Sequence, residues 1–317
     1  MSFFSETVGI DPGSQYLRII HNNKLIFNEP AHFSIDSVEN KISGIGNTTR
    51  TTKESIVVSP VNYTISDFIG FEHLIKLALK QGLANRYRSY KSYKVFFSLP
   101  TQATEAEKRT YKDSAEHAGA KEVYMIYQNI CAALGMNILH EKKDFILIEW
   151  GASKFDISVF VKGFPVSVGS VRMGIRTLSN LLLNHLSSNY QVPIINKDIE
   201  HILMDLKAIS SKNEFRIGTT IISFQSIQPI LDAYFTFVNL EIQNTLAAVK
   251  TSVDLEKVMS KGVHYTGGGS IFEYMRKQLT FDQEISYTLS QSPLLDTING
   301  LKMVITQPTA YKPYLMI

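Results

Sequence analysis

Residues 95–135 read VFFSLPTQATEAEKRTYKDSAEHAGAKEVYMIYQNICAALG, and their pattern decides the fold. Val95–Leu99 is a short apolar run stopped by Pro100, which reads as a buried strand. Thr104 followed by Glu107 is a capping box, and it opens a helix to about Ala118. Gly119 supplies the C-terminal stop. Val123–Ile126 is a second short strand, and Asn129–Leu139 reads as another helix. Strands and helices that alternate at this spacing predict an α/β lobe.

Upstream, Thr7–Ile10 is an apolar strand that runs into Asp11-Pro12-Gly13-Ser14. A strand from Tyr16 to His21 follows, then a turn at Asn22-Asn23-Lys24, so 7–27 reads strand, turn, strand, turn, strand. The same plan recurs downstream. Phe145–Ile148 is a strand, Glu149–Lys154 a turn, Asp156–Val161 an alternating strand, Lys162-Gly163 a turn, and Phe164–Val168 the return. Two such units about 140 residues apart predict a duplicated architecture, by pattern rather than by identity of residues. Helical periodicity marks 64–81, 175–188, 197–210 and 229–249, and 214–224 alternates like strands. Gly262–Tyr265 is a strand that ends in Thr266-Gly267-Gly268-Gly269-Ser270, with a helix running on to about Leu279.

The chain has 317 residues, enough for two lobes of ordinary domain size. With 44% hydrophobic and 19% charged residues the composition is that of a folded protein. A net charge of +3 lacks the basic excess of a dedicated nucleic-acid binder, so no nucleic-acid partner is expected. The single cysteine, Cys131, excludes an internal disulfide and lies in an apolar run that reads as a buried helix face. No apolar stretch is long enough to span a bilayer and the N-terminus carries no cleavage signal, so a cytoplasmic address is expected. The histidines show no ligand spacing.

Three features carry possible chemistry. The Asp11–Ser14 turn offers backbone N–H groups that can cradle phosphate, Asp11 can hold Mg²⁺ through water, and Ser14 can donate to a phosphate; an ordinary β-turn is the competing reading. The triple glycine 267–269 allows close approach of a ligand, against the reading of a flexible loop. Arg86–Lys94 interleaves Arg86, Arg88, Lys91 and Lys94 with Tyr87, Tyr90 and Tyr93, without an acid. That suits an anionic membrane surface, a solvated loop, or, less well, single-stranded nucleic acid.

Residues 95–135 resemble the core of the bacterial MreB family, in which a strand ends in Pro, a Thr/Glu-rich helix ends in His-Ala-Gly-Ala, and Glu-Val-Tyr precedes an Ala-rich helix. Asn28-Glu29-Pro30, Ser66-Asp67-Phe68, Val171–Gly174 and Tyr265–Gly269 match as well, and the likeness covers nearly the whole chain. It implies the fold of actin, the sugar kinases and the heat-shock chaperones: an α/β, actin-like, two-lobed ATPase fold of duplicated ribonuclease-H-like domains with a central cleft for ATP (or ADP) and Mg²⁺. By the resemblance, lobe I comprises 1–30, 61–139 and 298–317 with a small subdomain at 31–60. Lobe II comprises 140–176 and 236–297 with a small subdomain at 177–235.

The resemblance also implies roles. Asp11, Gly13 and Ser14 match the first phosphate loop, with Arg18 where actin has a phosphate-contacting lysine. Glu149 and Gly151 match the second loop, and Asp11 and Glu149 would hold the metal through water. Gly267, Gly268 and Gly269 match the adenosine motif, and Asp205 and Lys207 fall near the adenine and ribose. Gln128 stands where the family has a water-orienting glutamate and can position water without acting as a base; a buried helix-capping polar residue is the alternative. In the second loop Ala152 and Ser153 replace glycines, which adds a Cβ where phosphates must approach. Lys154 either meets a phosphate or points into solvent. The implied function is a cytoskeletal filament that forms head-to-tail on the inner membrane face and organises cell-shape or wall-synthesis proteins, with slow ATP hydrolysis possible. The alternative is an actin-fold scaffold with weak or no nucleotide use.

Overall fold

The computed structural model describes residues 6–84, 93–139, 143–190, 192–250, 253–281 and 285–316. The chain divides into two compact units, Met1–Glu141 with Leu295–Ile317, and Lys142–Leu294.

The first unit begins with β1 (Glu6–Pro12), β2 (Tyr16–His21) and β3 (Lys24–Pro30) as a meander. A small sheet follows: β4 (Phe33–Asp36), β5 (Lys41–Ile45) and β6 (Ser55–Val58). Then come β7 (Val61–Asn62), β8 (Thr64–Ile65), α1 (Phe68–Leu83), β9 (Tyr93–Leu99), α2 (Glu105–His117), β10 (Ala120–Tyr127) and α3 (Gln128–Gly135). The main sheet has the order β10-β9-β1-β2-β3, with β9 parallel to both β1 and β10. Alternation along β1 and β2 buries Val8, Ile10, Leu17 and Ile19 against Phe71 and Leu74 of α1 and Tyr111 of α2.

The second unit repeats that plan: β11 (Phe145–Trp150), β12 (Phe155–Val161), β13 (Phe164–Val171), α4 (Ile175–Asn189), α5 (Asn196–Lys212), β14 (Glu214–Ile217), β15 (Thr220–Ser223), α6 (Gln228–Ala247), α7 (Leu255–Met259), β16 (Val263–Thr266), α8 (Glu273–Lys277) and β17 (Tyr287–Leu289). Its sheet order is β13-β12-β11-β16-β17, again a meander joined to parallel strands. Leu178, Leu182 and Leu186, one stripe of α4, pack into a core that also holds Trp150, Phe155 and Tyr234. The last helix, α9 (Asp296–Thr306), returns to the first unit.

The duplication extends to detail. Asp11 pairs with Arg18 across β1 and β2, and Glu149 pairs with Asp156 across β11 and β12, each at the same sequence spacing. Two-residue turns close the next hairpins in each unit, at Asn22-Asn23 and Lys162-Gly163, all with positive φ. That is the I′ geometry, which follows the twist of the strands. Both meanders also carry a bulge, at Ile19/Ile20 and Val159/Phe160.

Several boundaries differ from the sequence reading. The predicted helix 64–81 starts at Phe68, because Thr64-Ile65 pairs with Val61-Asn62 and Asp67 caps the helix by accepting from Gly70 N at 2.9 Å. The helix expected over 129–139 runs from Gln128 to Gly135. Gly135 and Gly300 let α3 and α9 cross closely: a Cβ at Gly135 would lie 1.9 Å from the Asp296 carbonyl oxygen, and one at Gly300 1.8 Å from that of Cys131. The long helix expected after the triple glycine is instead a 3-10 turn, Gly268–Ile271, and the five-residue α8. The capping box at Thr104 and Glu107 forms as expected: Glu107 N donates to Thr104 Oγ1 at 3.2 Å and Thr104 N to Glu107 Oε2 at 2.7 Å.

Candidate functional site

In the first unit β1 ends at the 13–15 turn with Asp11 almost fully buried. The Asp11–Arg18 register puts both side chains on one face of the sheet. Arg18 Nη1 stands 3.5 Å from Asp11 Oδ2, and its guanidinium lies 5.3 Å from the Tyr16 ring centroid. Ser98, one register step beyond the Ile10–Phe97 pair on β9, donates to Asp11 Oδ1 at 2.6 Å. The Gln128 amide opens α3 and makes a long 3.5 Å contact to the same oxygen. Asp11, Arg18, Ser98 and Gln128 thus form one buried polar cluster beneath the turn. Arg18 Nε is also buried there and has no hydrogen-bond partner among the described residues. Ser14 Oγ accepts from the Tyr63 backbone N–H at 3.1 Å, which ties the turn to the β7–β8 hairpin. A Cβ at Gly13 would come within 2.8 Å of the Tyr16 carbonyl, so the turn requires glycine there.

These residues do not suit direct coordination of a divalent metal by Asp11. Both carboxylate oxygens are engaged, one by a hydroxyl and one by a guanidinium. A 2+ ion about 4 Å from that guanidinium would meet a repulsion of roughly 8 kcal/mol at an effective dielectric of about 20. A metal held by Asp11 and Glu149 through water, as the resemblance implies, is a different arrangement and remains a proposal.

In the second unit Gly151 N donates to the Lys154 carbonyl at 2.9 Å and closes the loop. Ala152 and Ser153 do not have positive φ, so their Cβ atoms bring no backbone strain. The loop is clamped from the far side: Ile175 N donates to the Gly151 carbonyl at 3.1 Å and Arg176 N to that of Ala152 at 2.8 Å. A Cβ at Gly174 would lie 2.4 Å from the Ala152 carbonyl carbon, which explains the glycine of the Val171–Gly174 motif. Lys154 does not point into solvent. It folds back onto Asp156, which is buried and also accepts from Ser170. Glu149 is half-buried on β11, across from Asp156.

Behind Asp156, Glu241 of α6 has its carboxyl held above the ordinary glutamate range, first by burial and then by the charge of Asp156. A raised carboxyl favours the folded state below its unfolded pKa, and that contribution is lost as pH rises through the folded value. Glu241→Gln should therefore raise the melting temperature at pH 8 and gain little at pH 4. A variant that melts below the parent at pH 8 contradicts this.

The triple glycine divides by role. Gly267 has φ +83°, and a Cβ there would lie 2.5–2.8 Å from the backbone oxygen, carbon and nitrogen of Trp150. A Cβ at Gly269 would lie 2.7 Å from Trp150 Cγ and from Ile175 Cγ1. Both glycines therefore serve packing around Trp150, whose indole N–H donates to the Tyr234 hydroxyl at 3.0 Å. Only Gly268 is open, meeting Leu294 Cδ2 at 3.1 Å. The five-residue α8 carries no long helix dipole to aim at an anion, contrary to the expectation from sequence. Lys207 of α5 bonds Glu273 of α8 at 2.9 Å and so lies beside this loop. Asp205, about 200° away around α5, lines a 360 Å³ groove with Asp198, His201 and Lys212 instead.

Arg86, Tyr87, Arg88, Tyr90 and Lys91 lie outside the described residues. Tyr93 and Lys94 do not suit the membrane role expected for them: Tyr93 is buried in β9, and Lys94 pairs with Glu122 at 3.0 Å. Sequence reasoning gave no site role to Ser98 or Asp156, and quoted Gly174 only within the Val171–Gly174 motif. Ser98 and Asp156 are polar residues set among apolar ones in their strands, a signal of buried hydrogen bonding that can be read from sequence.

Two units of like topology, each with a glycine-started loop after its first strand, define the actin-like class. The MreB/Mbl protein family model matches residues 5–313, and the chain belongs to that family. It is 23% identical to the cell shape-determining protein MreB of Escherichia coli K12, over 94% of this chain and 92% of that protein. It is 20% identical to the cell shape-determining protein Mbl of Bacillus subtilis, over 92% and 93%. The crystal structure of MreB5 of Spiroplasma citri bound to AMPPNP matches with a TM-score of 0.81 at 17% identity, covering 98% of each chain. The same protein bound to ADP gives 0.81 at 18%. No helix among the described residues is long and apolar enough to cross a membrane.

Proposed function

We propose that the chain is an MreB-type cytoskeletal protein that binds ATP or ADP and assembles head to tail into filaments on the inner membrane face, where it organises cell-shape or wall-synthesis proteins. Membership of the MreB/Mbl family carries this reading. The turn at Gly13–Gln15, the loop at Gly151–Lys154 and the open Gly268 are the proposed nucleotide contacts, with Lys207 near the ribose. A heterologous head-to-tail contact does not close on itself, so it yields a filament. Gln128 would orient the attacking water for slow hydrolysis, since its amide positions without abstracting a proton. The basic and aromatic residues at 86–91 are the proposed membrane contact, now without Tyr93 and Lys94.

The rival is an actin-fold scaffold with little nucleotide use. It draws on Lys154 being held by Asp156 and on the short α8. Titration of a fluorescent ATP analogue into the full chain separates the two. Saturable binding of one nucleotide per chain is expected. A folded chain that shows no binding up to about millimolar analogue, roughly −4 kcal/mol of affinity, favours the scaffold.

A further inference from the structure

We propose that Asp156 and Lys154 form an autoinhibitory latch on the second loop: a nucleotide's phosphate must draw the Lys154 ammonium off Asp156 before the loop is free to hold it. This rests on the nucleotide reading above and adds to it a contact that regulates the site.

The latch has a fixed part and a moving part. The backbone of the loop is fixed: Gly151 N donates to the Lys154 carbonyl at 2.9 Å, and Ile175 N and Arg176 N hold the Gly151 and Ala152 carbonyls at 3.1 and 2.8 Å. Gly174 lets that far wall close on the loop, since a Cβ there would lie 2.4 Å from Lys154 N. The part able to move is the Lys154 side chain, a flexible four-carbon stem that ends in a point charge. Its ammonium bonds Asp156 Oδ2, and the Ser170 hydroxyl donates to Oδ1. The Asp156 side chain is 1% exposed, whereas Lys154 keeps 14% of its side-chain surface in water. The base can therefore turn outward about its stem, and the acid cannot follow it. Its departure strands a buried carboxylate, and that cost holds the latch shut. Glu149 stands opposite Asp156 in the ladder and so shares its face, and Glu241 lies close enough to feel the charge of Asp156. Lys154 thus sits against a group of carboxyls. A di- or triphosphate carries enough negative charge to compete with them, and charge-assisted bonds to its oxygens replace the bond to Asp156. Until then the apparent affinity is lowered by the fraction of chains in which the lysine is latched.

The test is the affinity of the full chain for the fluorescent ATP analogue, measured as a double-mutant cycle. Asp156→Asn keeps the shape and an acceptor for Ser170 but gives up the charge, and it should bind at least about fivefold more tightly than the unaltered chain. Lys154→Met should bind at least about fivefold more weakly. In D156N/K154M the gain from Asp156→Asn should shrink to less than about twofold, because no ammonium is left to release. Effects that simply add would mean that Asp156 acts only through its field on the phosphate, and would overturn the latch. If Lys154→Met fails to fold with Asp156 stranded, acetylation of the lysine followed by mass spectrometry takes its place. Lys154 should then label at least about fivefold faster in Asp156→Asn than in the unaltered chain, and saturating analogue should slow the labelling of Asp156→Asn. Equal labelling rates in the two chains overturn the proposal. So does an Asp156→Asn chain that binds no more tightly than the unaltered one, a result that leaves the nucleotide reading standing. Absence of binding in both the unaltered chain and Asp156→Asn defeats the nucleotide reading itself, and this proposal with it.

Discussion

Asp11→Ala should lower stability by about 3 kcal/mol, since removing one partner of a buried pair leaves the other charge uncompensated. Arg18 keeps only 12% of its side-chain surface in water, so solvent cannot replace Asp11. Ser98 loses its acceptor at the same stroke, and the Gln128 contact disappears. At roughly 2–4 °C per kcal/mol for a unit of this size, the melting temperature should fall by about 6–12 °C. Asp11→Asn keeps the shape and an acceptor for Ser98, and should cost less. A double-mutant cycle with Arg18→Met isolates the pair: D11A/R18M should be more stable than the sum of the single losses predicts. Strict additivity in calorimetric melts would show that the two side chains do not depend on each other.

Gly267→Ala should cost a similar amount, about 3 kcal/mol, for a different reason. An alanine at φ +83°, ψ 158° lies in a region essentially reserved for glycine and is strained by roughly 1–3 kcal/mol, and its Cβ would press on the Trp150 backbone at 2.5–2.8 Å. Relief requires β11 or β16 to shift, which adds overpacking of about 1–3 kcal/mol. Gly268→Ala is the internal control. Its Cβ meets only one flexible leucine methyl, so stability should change by less than about 1 kcal/mol while nucleotide affinity falls. Denaturant midpoints of the two variants check this. Equal losses of stability would contradict the division of roles among the three glycines.

The paired hairpin units were legible in the sequence because each signal was local. Alternation in Tyr16–His21 and Asp156–Val161, with turn residues at 22–23 and 162–163, marks strands and their ends without knowledge of the rest. The capping box at Thr104 was legible for the same reason. What was missed depends on residues far apart in the chain. Gly135 ends its helix packed against α9, some 160 residues later, and no local pattern carries that contact. Thr64-Ile65 looked like the first turn of a helix, but pairing with Val61-Asn62 overrides helical periodicity in so short a segment.

In the site, the residues were identifiable by type and position, but their partners were not. Asp11 and Arg18 are seven apart, a spacing with no meaning in a helix. They become neighbours only when the three-residue turn 13–15 fixes the register of β1 and β2. Lys154 and Asp156 are i and i+2, which in an ordinary strand would share a face; here Lys154 ends the loop and turns back. The glycines of 267–269 announced a close approach without saying of what. For two of them it is Trp150, so the glycine motif of this chain marks internal packing as much as ligand access.

Nucleotide-dependent self-assembly is the central claim, and quantitative pelleting of the full chain with electron microscopy of the pellet tests it most directly. With ATP added, the pelleted fraction should rise above a critical concentration and contain filaments, and the threshold should be higher without nucleotide. A folded chain that stays in the supernatant at every concentration and in every nucleotide condition would contradict it.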